Sequence, residues 1–297
     1  MKKNRALILC FVLPCVFSLL IMFLYPTIRT FVMSFFKIEG ITDDVSTWSF
    51  YGVENYAKIF GSSTYRKSML NMGSIWLFGG VLTLSVSLLF AVILTSGIRF
   101  KKFFRAAIYL PNVISAVAMA TMWIQYIYNQ DYGMLNTILK KLGLEGVRWL
   151  GADMKFWAML VAFVFGAVGY YMLIFISGIE RIPQDLYEAA TIDGANKIQQ
   201  FSQITLPLLR GIIKTNITFW SVHTITFFLW SKMFSPVDTE ATTIVPVVYL
   251  YDTAFGGKAT ITRDAGAGAA VGVTLAVIVL AVYFIVNKVV KDDDLEF

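Results

Sequence analysis

One apolar stretch of the chain carries polar and aromatic side chains at helical spacing. A single helical stripe, at i, i+4, i+7, i+8 and i+11, holds Asn216, Trp220, His223, Thr224 and Phe227. Aromatic rings can stack on the apolar face of a ring-shaped solute, while amide, imidazole and hydroxyl groups exchange hydrogen bonds with its hydroxyls. The stripe is therefore predicted to line a path for a polar solute. Hydrogen bonding between helices, with the rings as packing, is the alternative.

A second candidate patch lies in another apolar stretch and consists of Gly169, Tyr170 and Tyr171. Tyrosines at a membrane–water interface are the alternative interpretation of this patch. His223 is the one histidine of the chain, so no cluster of histidines can bind a metal ion. A satisfied interior histidine is favoured over a proton carrier or a ligand. We predict neither a metal site nor a catalytic residue.

Several chemistries are disfavoured by residues that the sequence lacks. The apolar stretches contain no Asp or Glu, whereas proton- and sodium-coupled carriers commonly place ionisable residues within the membrane. Paired carboxylates for hydrolysis are missing there for the same reason. No Gly-x4-Gly-Lys-Ser/Thr sequence occurs, so the chain has no phosphate-binding loop of its own. The net charge of +6 is modest, and its basic residues gather at the ends of apolar stretches, which does not indicate a nucleic-acid surface.

The elements that must position these residues are membrane helices. Hydrophobic residues make up 57% of the 297 positions, and the mean hydropathy is +0.68. Charged residues make up 15%, against about 25% in ordinary soluble domains. Six apolar runs are present, at 6–28, 70–98, 106–128, 156–179, 211–230 and 265–286. The predicted fold class is therefore an all-α polytopic membrane protein with six transmembrane helices.

The distribution of Lys and Arg predicts the orientation of these six helices. Basic residues are roughly twice as dense in residues 1–5, residues 99–105, the loop 182–208 and the C-terminal tail as in the other loops. By the positive-inside rule, both termini and the loop 182–208 are then cytoplasmic. The opposite face carries the loops 29–68, 129–155 and 231–264.

The loop 182–208 reads as an ordered helix–turn–helix. Pro183 can begin a helix over 184–193, and Gly194 suits a left-handed cap. In a second helix, beginning at Ala195, Ile198, Phe201 and Ile204 would share one face. The polar side chains of that helix fall largely on the opposite face and are Asn196, Lys197, Gln199, Gln200 and Gln203.

This loop resembles the EAA loop of ABC-importer permeases. The pattern of that family is Glu-Ala-Ala, three residues, Gly, nine residues, Ile, one residue and Leu-Pro. It stands here without any change of spacing as Glu188, Ala189, Ala190, Gly194, Ile204, Leu206 and Pro207, with Asp193 before the glycine. The resemblance implies that these residues form a coupling helix that docks into a separate ATPase. An ordinary cytoplasmic helical hairpin is the alternative.

Other segments resemble the carbohydrate branch of the same superfamily, the MalF/UgpA-like permeases. The segments are Tyr51-Gly52-Val53-Glu54-Asn55-Tyr56, Arg105-Ala106-Ala107-Ile108-Tyr109-Leu110-Pro111, and Trp123 with Gly133-Met134-Leu135-Asn136. The resemblance implies an N-terminal span with an outer loop over 1–69, a permease core of five helices over 70–290, and a cytoplasmic tail over 291–297. The glycine-rich segment 266–272 opens the last run, and Gly268 and Gly272 are predicted to allow close helix packing.

The resemblance also implies an assembly in a bacterial cell membrane. Its members would be a second, similar permease subunit, two copies of a cytoplasmic ATPase, and an extracytoplasmic solute-binding protein, surrounded by lipid. The chain itself would bind no cofactor, because ATP and Mg²⁺ would be held by the ATPase, and it would not be an enzyme. A carrier or channel that works alone, and a membrane-embedded enzyme or assembly factor, are the alternatives from other functional classes.

Overall fold

The computed structural model describes residues 2–257 and 263–289, so the predicted tail 291–297 lies outside the described residues. The helices in chain order are α1 Lys2–Leu19, α2 Tyr25–Met33, α3 Glu54–Gly61, α4 Ser63–Ser74, α5 Gly80–Thr95, α6 Lys101–Val113, α7 Ala116–Met122, α8 Met134–Lys141, α9 Lys155–Ile179, α10 Gln184–Ile192, α11 Lys197–Gln200, α12 Leu206–Leu208, α13 Arg210–Ile225, α14 Phe228–Phe234, α15 Pro246–Phe255 and α16 Ala265–Val289. Strands β1 Phe36–Lys37 and β2 Ser49–Phe50 form an antiparallel pair. Wider, π-helical turns connect α1 to α2, α4 to α5 and α11 to α12, and extend α7 to Ile127.

Four helices of the described chain are long and apolar enough to cross a membrane. They are Cys10–Met33, Ser63–Thr95, Lys155–Ile179 and Ala265–Val289. A fifth crossing is possible if α6 and the segment Ala116–Ile127, which meet at an angle of 98°, count as one broken span. The mostly helical membrane fold predicted from the sequence is therefore confirmed, and four of the six predicted runs correspond to these long helices.

The predicted run 211–230 is not one long helix. Helix α13 has 16 residues and is followed, after Thr226 and Phe227, by the short helix α14. At 1.5 Å per residue α13 is about 24 Å long, less than the hydrocarbon thickness of about 30 Å. The polar stripe lowers the hydropathy of this run, and the helical hydrogen bonding ends where the amide of Phe228 bonds to the carbonyl of Thr226.

The chain forms two compact units, and the first comprises residues 1–66 and 246–277. Within this unit the buried Asn55 donates from its amide to the carbonyls of Ser34 and Phe36 at 2.9 and 2.8 Å. Gly266 approaches the same strand so closely that a Cβ there would lie 2.2 Å from the Phe36 carbonyl oxygen. Gly268 packs on Ala254 of α15, which confirms the close helix packing predicted for the glycine-rich segment.

In its described part, the second unit comprises residues 67–245 and 278–289, and α9 lies at its centre. Fifteen of the 25 residues of α9 are buried. It packs against α5, α6 and α13, and glycines of α9 allow α6 and α13 to come close to its backbone. A Cβ on Gly169 would lie 2.7 Å from the Cα of Tyr109 in α6, and one on Gly178 would lie 2.7 Å from Ile212 in α13.

The direction of these helices follows from pairs of contacts. Leu160 lies near Gly79 and the Val168 carbonyl accepts from Ser87, so α5 and α9 run parallel. The contacts of Gly178 with Ile212, and of Tyr171 with Trp220, show that α13 runs antiparallel to α9. Contacts of Gly169 and Gly166 with α6 show the same antiparallel relation. Alternate crossing of a membrane requires this arrangement.

Candidate functional site: the loop after α9 and a cavity at the helix break

The loop predicted to couple the chain to a partner is a helix–turn–helix with a capped helix on each side of its turn. Helix α10 ends in a Schellman motif, because Gly194 has φ +81° and the amides of Gly194 and Ala195 bond to the carbonyls of Thr191 and Ala190. The second helix begins with a reciprocal capping box between Asn196 and Gln199. The predicted helix over 184–193 and the left-handed conformation of Gly194 are confirmed, whereas the second helix begins at Lys197, two residues later than predicted.

Two side-chain contacts hold α10 against the segment that follows it. The Tyr187 hydroxyl lies 2.9 Å from Thr205 Oγ1. Gln200 Nε2 donates to Thr191 Oγ1 at 2.9 Å, and its Oε1 accepts from Lys197. The prediction that Gln200 belongs to the exposed polar face is wrong, because its side chain is 4% exposed and bonded within the loop.

The face of the loop that remains open combines charge with apolar surface. Glu188, Ala189, Asp193 and Gly194 are exposed. Ile192 and Ile198 are 87% and 79% exposed, whereas Phe201 and Ile204, which were predicted to share a face with Ile198, are half-buried. Glu188 forms no ion pair within the described part of the chain. Exposed apolar side chains beside a free carboxylate are typical of a surface that a partner covers.

The other residues of the motif are turned toward the helices. Ala190, Ile204 and Pro207 are half-buried, whereas Leu206 is 37% exposed. Leu209, two residues after Pro207, is fully buried against Gly178. The loop therefore continues into the packing between α9 and α13. Both ends of the loop are therefore held in that packing.

Most of the predicted path residues are enclosed by packing. Trp220 is 1% exposed, covers Gly79 and Gly80, and donates to the Trp76 carbonyl at 2.9 Å. Phe227 packs on Phe163 with ring centroids 4.7 Å apart. Thr224, which is 1% exposed, donates to the carbonyl of Trp220 in its own helix, as buried hydroxyls in helices commonly do.

The remaining candidates differ in their surroundings. Gly169 is buried at the contact with α6, where its role is close packing. Tyr170 is 36% exposed and meets the buried Tyr171 edge-on at 5.1 Å. Asn216 is fully buried, and neither its Nδ2 nor its Oδ1 has a hydrogen-bond partner within the described residues. A buried amide without partners is costly, so Asn216 is a site where water or a moving group would be stabilised.

A cavity of about 150 Å³ opens where α6 and α7 meet at 98°. Ser115 caps α7 and thereby allows the helix to restart after the break. Of the eight predicted path residues, His223 lines this cavity, and its Nδ1 lies 3.3 Å from the Tyr171 hydroxyl. Sequence reasoning missed two other lining residues, Asn112 and Trp230. The interruption of the apolar run at Pro111 and Asn112 was the signal for the break.

These features define a membrane-embedded transport subunit. The chain belongs to the family described as binding-protein-dependent transport system inner membrane component, whose model matches residues 84–292. This finding confirms the family resemblance that the sequence motifs carried. Membership also places the chain among the non-catalytic subunits of such systems.

Curated relatives and a solved structure agree with this assignment. The chain is 30% identical to the arabinooligosaccharides transport system permease protein AraP of Halalkalibacterium halodurans, over 91% of this chain and 83% of the relative. It is also 30% identical to the diacetylchitobiose uptake system permease protein NgcF of Streptomyces coelicolor, over 81% and 71%. A chain of a bacterial ABC transporter that imports alginate has the same fold, with a TM-score of 0.83 and 21% identity over 97% of this chain and 96% of that one.

Proposed function

We propose that the chain is one transmembrane subunit of an ATP-driven importer for a saccharide, with six spans and both termini in the cytoplasm of a bacterial cell. The observation that carries this proposal is the loop after α9, which is rigid, exposed on one face and joined at both ends to packed helices. In this proposal α13 and α14 together supply the fifth span. Helix α16 supplies the sixth.

The coupling face of the loop consists of Glu188, Ala189, Asp193, Ile192 and Ile198. The two isoleucines would be buried in a groove of the ATPase, Ala189 would allow close approach, and Glu188 would pair with a basic or hydrogen-bonding group there. Burying one such isoleucine contributes about 1.5–3 kcal/mol to binding. The ATPase, present in two copies, would bind ATP and Mg²⁺.

In this proposal, the motif residues outside the coupling face transmit a movement of the ATPase to the transmembrane helices. Ala190, Ile204, Leu206 and Pro207 lie between the coupling face and the contact of Leu209 with Gly178. The loop is held together by the bonds of Tyr187 and Gln200, so it would move as one body and carry the ends of α9 and α13 with it.

The proposed cargo is a saccharide because the curated relatives carry names of saccharide systems, among them arabinooligosaccharides and diacetylchitobiose. The cavity at the break suits such a cargo, since His223 and Asn112 offer hydrogen bonds and Trp230 offers a ring. We propose that Asn216, Tyr170 and Tyr171 join this path in another conformation. A second, similar permease would close it, and a binding protein would deliver cargo to the outer loops.

The coupling role is tested by a charge reversal on the coupling face, with the same reversal in the loop 129–155 as its control. Glu188→Lys places a cation on the coupling face, and Glu145→Lys makes the same change at an exposed site in the loop 129–155. We expect both variants to insert normally, and Glu188→Lys alone to lose ATPase co-purification and uptake. Normal uptake by Glu188→Lys at normal expression would refute the coupling role.

The orientation is tested in the same membranes with single cysteines. The native Cys10 and Cys15 are replaced by serine, and cysteine is introduced at Ile198 or at Glu145. An impermeant maleimide added to intact spheroplasts should label the cysteine at 145 and not the one at 198. Labelling of the cysteine at 198 from outside would contradict a cytoplasmic coupling loop.

A further inference from the structure

A second cavity, of about 390 Å³, lies at the far end of α9 from the coupling loop. Its lining comes from two segments of the chain and consists of Ile124, Gln125, Tyr128, Asn129, Gln130, Arg148, Trp149, Leu150 and Gly151. The loop that closes it leads into the N-terminus of α9, whereas the coupling loop follows the C-terminus of the same helix. The 25 residues of α9 separate the two by about 37 Å, so they lie at opposite membrane faces.

The walls of this cavity are held in place by one buried side chain. Asn136 is fully buried, and its amide donates to the carbonyls of Gln130 and Val147 at 3.2 and 3.0 Å. Its Oδ1 accepts from the amide of Val147 at 2.9 Å and from Trp149 Nε1 at 3.0 Å. Asn136 thus ties both lining segments together and uses its full hydrogen-bonding capacity. The cavity is preorganised rather than a gap between loose loops.

The groups that face this cavity are chemically mixed. Trp149 and Tyr128 provide aromatic surface, with ring centroids 6.0 Å apart. Gln125, Gln130 and Arg148 are exposed, and their side chains make no hydrogen bond or ion pair within the described residues. The lining contains no carboxylate. Rings beside free amides and a guanidinium can stack on a sugar ring and bond its hydroxyls.

We propose that this cavity is a saccharide-binding site at the outer mouth of the path. Its volume lies within the range of about 300–1,000 Å³ that is usual for small-molecule sites. A saccharide unit would stack on Trp149 and receive hydrogen bonds from Gln125 and Arg148. The site rests on the proposed function, because it would hold cargo before the cargo reaches the cavity beside His223. It is separate from that cavity and shares no lining residue with it.

The test is protection of a cysteine in the cavity. Leu150→Cys, at a lining position that is not assigned a hydrogen bond to the saccharide, is made with Cys10→Ser and Cys15→Ser, and the assembled transporter is placed in nanodiscs without binding protein. Arabinotriose, maltotriose and trigalacturonate are the probes, and the rate of maleimide labelling is the readout. At ten times its Kd, a bound saccharide should slow labelling about tenfold. Lys141→Cys, exposed in the same loop and outside the cavity, is the matched control and should be unaffected.

A second variant keeps the experiment decisive. Ile124→Cys probes the other lining segment and is used if Leu150→Cys does not assemble. If no saccharide protects either cysteine while the same preparation shows saccharide-stimulated ATPase activity with binding protein, the cavity proposal is refuted and the importer function stands. Protection by the binding protein alone would make the cavity a docking surface and refute the proposal. Protection without any ATPase stimulation would support the cavity and count against the importer function.

Discussion

Gln200→Ala should loosen the coupling loop without unfolding the spans. The side chain is 4% exposed and makes hydrogen bonds to Thr191 Oγ1 at 2.9 Å, to the Ala195 carbonyl at 3.3 Å and from Lys197 Nζ at 3.2 Å. The bond to Thr191 joins α11 to α10, the bond to Ala195 joins α11 to the turn between them, and the bond from Lys197 lies within α11. They do not contact α9 or α13, so their loss should be confined to the loop.

The size of the effect follows from those three bonds. Each contributes about 1 kcal/mol net, and the partners Thr191 and Lys197 are exposed enough to regain bonds to water, so about 2 kcal/mol is lost. At 1.4 kcal/mol per factor of ten, local opening of the loop should rise roughly 30-fold. Uptake should fall while ATP is still hydrolysed, because a softened loop transmits less of the motion.

Hydrogen exchange of the assembled transporter measures this opening directly. Peptides that cover α10 and α11 should exchange roughly 30-fold faster in Gln200→Ala, and peptides from α9 should be unchanged. Gln203→Ala is the matched control, because Gln203 is exposed and three residues further along. Equal exchange in the two variants, or faster exchange in α9, would refute the assigned role of Gln200.

Three further predictions concern packing, charge and the path. Gly169→Ala should lower stability by about 1–3 kcal/mol, because the new Cβ would lie 2.5 Å from the Ile108 carbonyl oxygen. Gly166→Ala, whose Cβ meets nothing nearer than 4.0 Å, should leave the melting temperature unchanged in the same thermal assay, and equal losses would contradict the packing role. The ion pair with Asp264 raises the pKa of Lys58 above its ordinary value of 10.5. Its contribution is therefore present at neutral pH and lost as the pH rises through the raised pKa. The difference in melting temperature between wild type and Lys58→Met should accordingly shrink as the pH is raised from neutral to strongly alkaline, and a difference that stays constant over that interval would contradict this. His223→Phe keeps an aromatic ring but removes hydrogen bonds worth about 1–1.5 kcal/mol, so the rate of uptake should fall about tenfold. Thr224→Val is the control and should change uptake little. A larger loss in Thr224→Val than in His223→Phe would place the path on the other side of α13.

The sequence predicted the long helices and the coupling loop well, because both depend on local signals. Apolar runs of more than 20 residues, Pro183 at a helix start and Gly194 at a helix end each act within a few residues of themselves. The motif spacing from Glu188 to Pro207 identified the loop before its geometry was known. The family assignment followed from the same residues.

The path residues were harder to predict, because burial is decided by distant neighbours. Four of the five stripe residues lie on α13, yet Trp220 is covered by Gly79 and Gly80, which lie about 140 residues earlier. Periodicity shows which residues share a face but not what that face meets. Gln200 was misassigned for the same reason, since its partner Thr191 belongs to the preceding helix. The role of Asn136 likewise depends on Val147 and Trp149, which no local pattern connects to it.

In the second unit, the residues that hold the helices together differ from the residues that line the cavities. Gly79, Gly80, Gly169 and Gly178 let helices meet at distances that exclude any side chain, and none of them contributes a group that could recognise a solute. Residues on the cavity walls, such as His223, Asn112 and Arg148, are not part of those contacts. Exchanging wall residues can therefore retune what is carried while the helices keep their arrangement. One framework of this kind can serve many nutrients.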